Sequence, residues 1–155
     1  MARQGYTLIE LLIVFSIIGI LLGIGIVSYN DFNKRQTLKG AALNLKNDLR
    51  AAQNKALAGE KPAGCGTNSL AGHRLKFTDG SNYKIVAVCG GEVDIITGLT
   101  LGQNVSVVGL PSILFKVLAQ GAEAGTFCLS GFNRTYKLSV TASGEIKDEG
   151  FTACP

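Results

Sequence analysis

From Tyr6 to Val27 nearly every position is apolar, YTLIELLIVFSIIGILLGIGIV, and Glu10 is the single charge. At about 1.5 Å of rise per residue this stretch makes a helix roughly 33 Å long, enough to cross the ~30 Å hydrocarbon core of a bilayer. A cleaved secretory signal has an apolar region of only ~7–15 residues and ends at a small-x-small site. Here the run is longer and leads into Val27-Ser28-Tyr29-Asn30-Asp31-Phe32, so the pattern predicts a membrane helix that stays in the mature chain.

From Ser28 to about Ala58 the helical pattern continues but becomes amphipathic. Leu38, Ala42, Leu45, Leu49, Ala52 and Ala56 recur at spacings of four and three, one apolar stripe, and Lys39, Lys46, Asn47, Asp48, Arg50 and Asn54 fall mainly off it. Gly59 stops the helix and Pro62 stands just beyond. No strong breaker separates Val27 from Leu38, and Gly40 costs only ~1 kcal/mol, so one continuous rod is expected. The small alanines of its second half suit packing on a sheet better than a coiled-coil seam.

Glu60 to Gly72 is rich in turn residues and reads as a loop. Short strands follow at Arg74 to Phe77 and Tyr83 to Val88, around a Thr78-Asp79-Gly80-Ser81-Asn82 turn. More are predicted at Val93 to Ile96, Val105 to Val108, Ser112 to Leu118, Thr126 to Leu129, Thr135 to Val140 and Glu145 to Lys147. Tyr136, Leu138 and Val140 alternate with Lys137 and Ser139, the clearest one-sided strand. The whole reads as α+β: a long N-terminal helix, half transmembrane and half amphipathic, packed on a C-terminal antiparallel sheet.

The chain has 155 residues, so beyond the anchor there is room for one modest domain. A net charge of +4 and a pI near 8.9 imply no particular partner. Arg3 precedes the anchor while Lys34, Arg35 and Lys39 follow it, so charge counting alone would favour the reverse orientation. Cys65, Cys89, Cys128 and Cys154 all lie beyond the anchor and none forms a CxxC pair, which argues against zinc. In an oxidising compartment they make two disulfides, in any of the pairings that four cysteines allow. The only histidine, His73, has no nucleophile motif near it, and Gly64-Cys65-Gly66 and Cys89-Gly90-Gly91 lack the lysine of a phosphate loop. Neither an enzyme nor a cofactor or metal site is expected.

Glu10 is the residue that needs an account. A carboxylate in an apolar helix costs about 2.5–3.5 kcal/mol at the membrane centre unless it reaches the interface or finds a cation. Its surroundings, Gly5-Tyr6-Thr7-Leu8-Ile9-Glu10-Leu11-Leu12-Ile13-Val14 after the short basic Met1-Ala2-Arg3-Gln4-Gly5, closely resemble the class III signal of type IV prepilins and pseudopilins. The resemblance implies cleavage between Gly5 and Tyr6 by prepilin peptidase, N-methylation of Tyr6, and retention of the helix. It also gives Glu10 a partner, the methylated amine of a neighbouring subunit, so that assembly neutralises both charges. Two departures are visible: the mature chain would begin with Tyr where most members have Phe, and Val27 stands about where major pilins often carry a proline. Any bend then falls to Gly23 and Gly25, and Gly19 with Gly23 forms a small-xxx-small pair.

The α+β layout agrees with the type IV pilin fold, divided as leader 1–5, transmembrane and filament-core helix 6–27, and globular domain 28–155 with its helix to 58 and its sheet region at 73–155. Asp48 to Leu57 and Arg134 to Lys147 are similar to the helix end and C-terminal hairpin of GspH/FimT-type minor pilins and pseudopilins. The resemblance implies a C-terminal staple, Cys128–Cys154, with Cys65–Cys89 as the second pair. It further implies other pilin subunits, prepilin peptidase, the inner membrane and the pilus assembly platform as partners, and an inner-membrane precursor that later joins a periplasmic or extracellular filament. Some pilins of this branch take part in DNA uptake, and Lys116, Arg134, Lys137 and Lys147 are the candidate phosphate contacts. The expected function is a structural subunit of a type IV pilus or a type II secretion pseudopilus. The alternatives are a DNA-binding minor pilin and an anchored envelope domain that does not polymerise.

Overall fold

The computed structural model describes residues 7–154, and of 22–28 the backbone alone. Met1 to Tyr6, with the expected leader, cleavage site and methylated residue, lie outside the described residues, and so does the close packing expected at Gly23; the backbone of Gly23 and Gly25, the expected places for a bend, lies within helical structure. The chain divides into two compact units, Met1–Gln36 and Thr37–Pro155, and helix α1, Leu8–Leu57, contributes to both.

Both ends of α1 are made by local chemistry. At the start, the Glu10 amide, which the first turn leaves without a helical partner, donates to Thr7 Oγ1 at 3.4 Å, and the Leu11 amide donates to the Thr7 carbonyl at 3.3 Å as the first bond of the helix. At the end, the Glu60 amide reaches the Lys55 carbonyl at 3.0 Å and the Gly59 amide reaches that of Ala56 at 3.1 Å. This is a Schellman stop, and Gly59 takes the left-handed φ of 62° it requires.

In the second unit the helical stripe is buried as its spacing predicts: Leu38, Ala42, Leu45, Leu49, Ala52 and Ala56 are at most 1 % exposed. After a 3-10 turn at Ala63–Cys65 come β1 Gly72–Phe77, β2 Asn82–Val88, β3 Glu92–Thr100, β4 Ser106–Val107, β5 Ser112–Lys116, a 3-10 turn Val117–Ala119, β6 Gly125–Gly131, β7 Arg134–Val140 and β8 Ile146–Gly150. These form two antiparallel four-stranded sheets, ordered β3-β2-β1-β5 and β4-β6-β7-β8. Leu75, Phe77 and Ile85 from the first and Phe127, Leu129, Tyr136 and Leu138 from the second share one core with the helical stripe. The helix is therefore packed on antiparallel sheet, an α+β fold.

Some boundaries differ from the sequence pattern. β5 ends at Lys116 rather than Leu118, because Leu118 and Ala119 turn to positive φ, 53° and 61°. β3 runs on to Thr100, because irregularities in its pairing restore register and let Leu99 oppose Tyr83. β4 shrinks to two residues, and β8 begins at Ile146 and continues to Gly150. Polar ties lace the helix to both sheets: Tyr83 donates to Asp48 at 2.6 Å, Lys46 pairs with Asp148 at 3.4 Å, and Gln53 donates to the Gly144 carbonyl at 2.8 Å.

Candidate functional site: an uncovered apolar helix

In the first unit the described side chains from Leu8 to Leu21 are exposed all round the helix. Leu8 is 88 % exposed, Ile9 70 %, Phe15 68 % and Leu21 64 %, and even the least exposed large residue, Ile18, is 44 % exposed. An amphipathic surface helix hides one stripe; these described side chains hide none. Ser16 Oγ donates to the Leu12 carbonyl at 2.8 Å. Nothing lies within 4 Å of where a Cβ on Gly19 would sit, which leaves that side open to close approach by another helix. Among the described residues no helix is long and apolar enough to cross a membrane.

Glu10 lies in the first turn of α1, where its charge complements the helix dipole. Thr7-Leu8-Ile9-Glu10 has capping-box spacing, and Thr7 is the residue sequence reasoning passed over. The signal was there in a threonine three positions ahead of a glutamate at the start of an apolar run.

Cys65 is bonded to Cys89 and Cys128 to Cys154, with Cα separations of 5.6 and 6.0 Å. The first bridge anchors the Glu60–Gly72 loop over a small cluster with Ala87, Leu70, Val93 and Ile95. The second ties the C-terminal tail to β6, and the ring of Phe151 meets that of Tyr136 on neighbouring β7 edge-on at 4.9 Å.

The four basic candidates are divided between the two sheets. Lys116 ends β5 in the first sheet, whereas Arg134 and Lys137 on β7 and Lys147 on β8 belong to the second. Lys137 pairs with Glu149 at 2.8 Å and Lys147 with Glu145 at 3.4 Å. His73 is fully buried on β1, and neither ring nitrogen has a hydrogen-bond partner among the described residues. Burial pushes its pKa below the ordinary histidine value, against a smaller opposing pull from Glu60.

An apolar helical stretch with exposed side chains is followed in sequence by a disulfide-bonded α+β unit. Residues 1–26 match the prokaryotic N-terminal methylation motif. Two fimbrial proteins of Pseudomonas aeruginosa are each 32% identical to the chain over 111 residues, covering 66% of it and 71% of their own length. No solved structure gives a match. The chain belongs to the type IV pilin family. Membership implies assembly with other pilin subunits and points to a structural role rather than to catalysis.

Proposed function

We propose that the chain is the precursor of a minor type IV pilin or pseudopilin, trimmed between Gly5 and Tyr6, methylated on Tyr6, and held in the inner membrane by residues 6–27 until it joins a filament. The observation that carries this reading is Glu10, the one carboxylate among the described residues Leu8 to Leu21, at the head of a stretch whose apolar side chains are exposed. In lipid or in a helical bundle such a charge is costly until a cation meets it, and the methylated amine of an adjacent subunit is a cation at the same depth. Pairing at one depth also sets the axial register between helices. Residues 28–155 then form the part of the subunit displayed outside the helical core.

Co-expression with a prepilin peptidase tests the first half. The expected product lacks Met1 through Gly5 and carries one added methyl on Tyr6; an unchanged mass would refute processing. Glu10→Ala tests the second half: the variant should still be trimmed yet enter filaments poorly. Incorporation equal to the unaltered chain would end the pairing idea. DNA is the less favoured partner, because Lys137 and Lys147 already face carboxylates.

A further inference from the structure

Just beyond the apolar stretch the chain changes character without leaving the helix. Residues 28–39 hold three cations, Lys34, Arg35 and Lys39, against one acid, Asp31, together with the aromatic residues Tyr29 and Phe32. Charge counting finds these cations on the wrong side for the expected orientation, and assembly through Glu10 uses none of them. Within the first unit, Tyr29, Phe32, Lys34 and Arg35 are all exposed, and both aromatic residues are more than half so.

Their spacing along the helix axis matches the layers of a bilayer. At ~1.5 Å of rise per residue, Tyr29 stands about 3 Å beyond Val27 and Phe32 about 7.5 Å, and the headgroup layer outside the ~30 Å core is roughly 5–7 Å deep on each side. Lys34 and Arg35 follow about 10–12 Å beyond Val27, just past that layer by backbone position. Every Cα–Cβ bond of a helix tilts toward its N-terminus, so both long side chains set out back toward the apolar stretch, with a reach that brings the charge to the level of lipid phosphates. Arg35 Nε lies 3.2 Å from a carboxylate oxygen of Asp31, one turn nearer the apolar stretch. That pair offsets the one acid, and a guanidinium has five N–H donors, more than a single carboxylate takes up. Lys34 stands beside it as a further exposed cation.

We propose that Tyr29, Phe32, Lys34 and Arg35 form a collar that binds anionic phospholipid headgroups at the surface of the membrane holding the precursor. The proposal rests on the reading that residues 6–27 span that membrane. The aromatic residues fix the depth of the helix, because such side chains favour the boundary between hydrocarbon and water. The cations choose the lipid, because each one close to an anionic surface favours it over a zwitterionic surface by about fivefold. Depth at this end sets depth at the other: Glu10 and Tyr29 are separated by about 28 Å of helix, so a collar seated at one surface places Glu10 near the opposite edge of the hydrocarbon.

The test reconstitutes the full chain in phosphatidylcholine bilayers and reads, by electron spin resonance, the motionally restricted fraction of spin-labelled phosphatidylglycerol against spin-labelled phosphatidylcholine. The expected preference for phosphatidylglycerol is about fivefold at low salt and falls toward parity in molar salt. Lys34→Gln combined with Arg35→Gln should cut it by about threefold or more, and the salt titration reads the charges with no substitution at all. The chain holds no tryptophan, so Phe32→Trp adds a single reporter, expected to be quenched most strongly by lipids brominated near the headgroup. Phe15→Trp, inside the apolar stretch, checks the underlying reading through quenching by lipids brominated deep in the acyl chains. With that control quenched, the collar alone is overturned by equal restriction of the two lipids, by a preference that survives the glutamine changes, or by an unquenched, water-exposed tryptophan at position 32. With the control unquenched, the membrane-spanning reading and the collar fall together. A glutamine variant that keeps the lipid preference but loses filament entry would also overturn the collar and assign the two cations to a neighbouring subunit.

Discussion

His73 is the residue with the clearest pH consequence. Its ring is buried, and burial outweighs the opposing pull of Glu60, so the folded chain resists protonating it, whereas the unfolded chain protonates freely near the ordinary value of 6.5. Below that pH the unfolded state binds more protons than the folded one, and stability falls as pH drops from about 6.5 toward the depressed folded value. His73→Leu should therefore flatten the stability profile between pH 7 and 5, seen in urea melts of the detergent-solubilised chain; parallel profiles for the two proteins would sink the idea. The carboxylates act in a lower window. Burial alone would raise the Asp148 pKa, but hydrogen bonds from Tyr136 and Lys46 outweigh it and hold it below the usual aspartate value. Its stabilising share persists above the unfolded aspartate pKa and is lost only as pH falls through the folded one. Tyr136 is pushed up to about 12, by burial first and then by Asp148, and stays protonated throughout.

At the scale of elements, α1 changes its surroundings along its length without changing its conformation. Its second half buries the stripe from Leu38 to Ala56, and Leu49→Ala should cost about 2–5 kcal/mol through lost contacts and the cavity left behind. Leu43, 40 % exposed, should lose only a small part of that in the same denaturation assay; equal losses would mean the stripe is misplaced. This element was readable from spacing, because a regular helix turns sequence period directly into a face. The same holds for β7, where Tyr136, Leu138 and Val140 are buried and Lys137 and Ser139 are not fully so. The early end of β5 and the irregular β2–β3 pairing were not readable. Leu118 continues an apolar run in sequence, yet its backbone is set by a turn that returns the chain toward Ala122, which bridges to Phe115. Local propensity carries no record of such a partner.

At the scale of the whole molecule, the C-terminal tail is held to the second sheet at separate points. Cys154 is bonded to Cys128, the Thr135 hydroxyl donates to the Thr152 carbonyl at 2.8 Å, and Phe151 packs on Tyr136. A double Cys128→Ser, Cys154→Ser variant should lose about 3 kcal/mol, the loop-entropy contribution of a closure of this length, while keeping its core. Amide exchange would then quicken first in residues 151–154; unchanged exchange there would mean the bridge does not restrain the tail. The bare helix, the Glu10 position and the existence of an amphipathic second half followed by strands were already determined by the amino-acid order, because each is a local property of a period, a motif or a cap. Tertiary structure decided what depends on partners distant in the chain. It split the strands into two sheets, buried His73, and divided the four basic residues between those sheets. Those outcomes arise from long-range pairing, where two segments meet only after the intervening chain has folded, and no neighbouring residue encodes which segment will arrive.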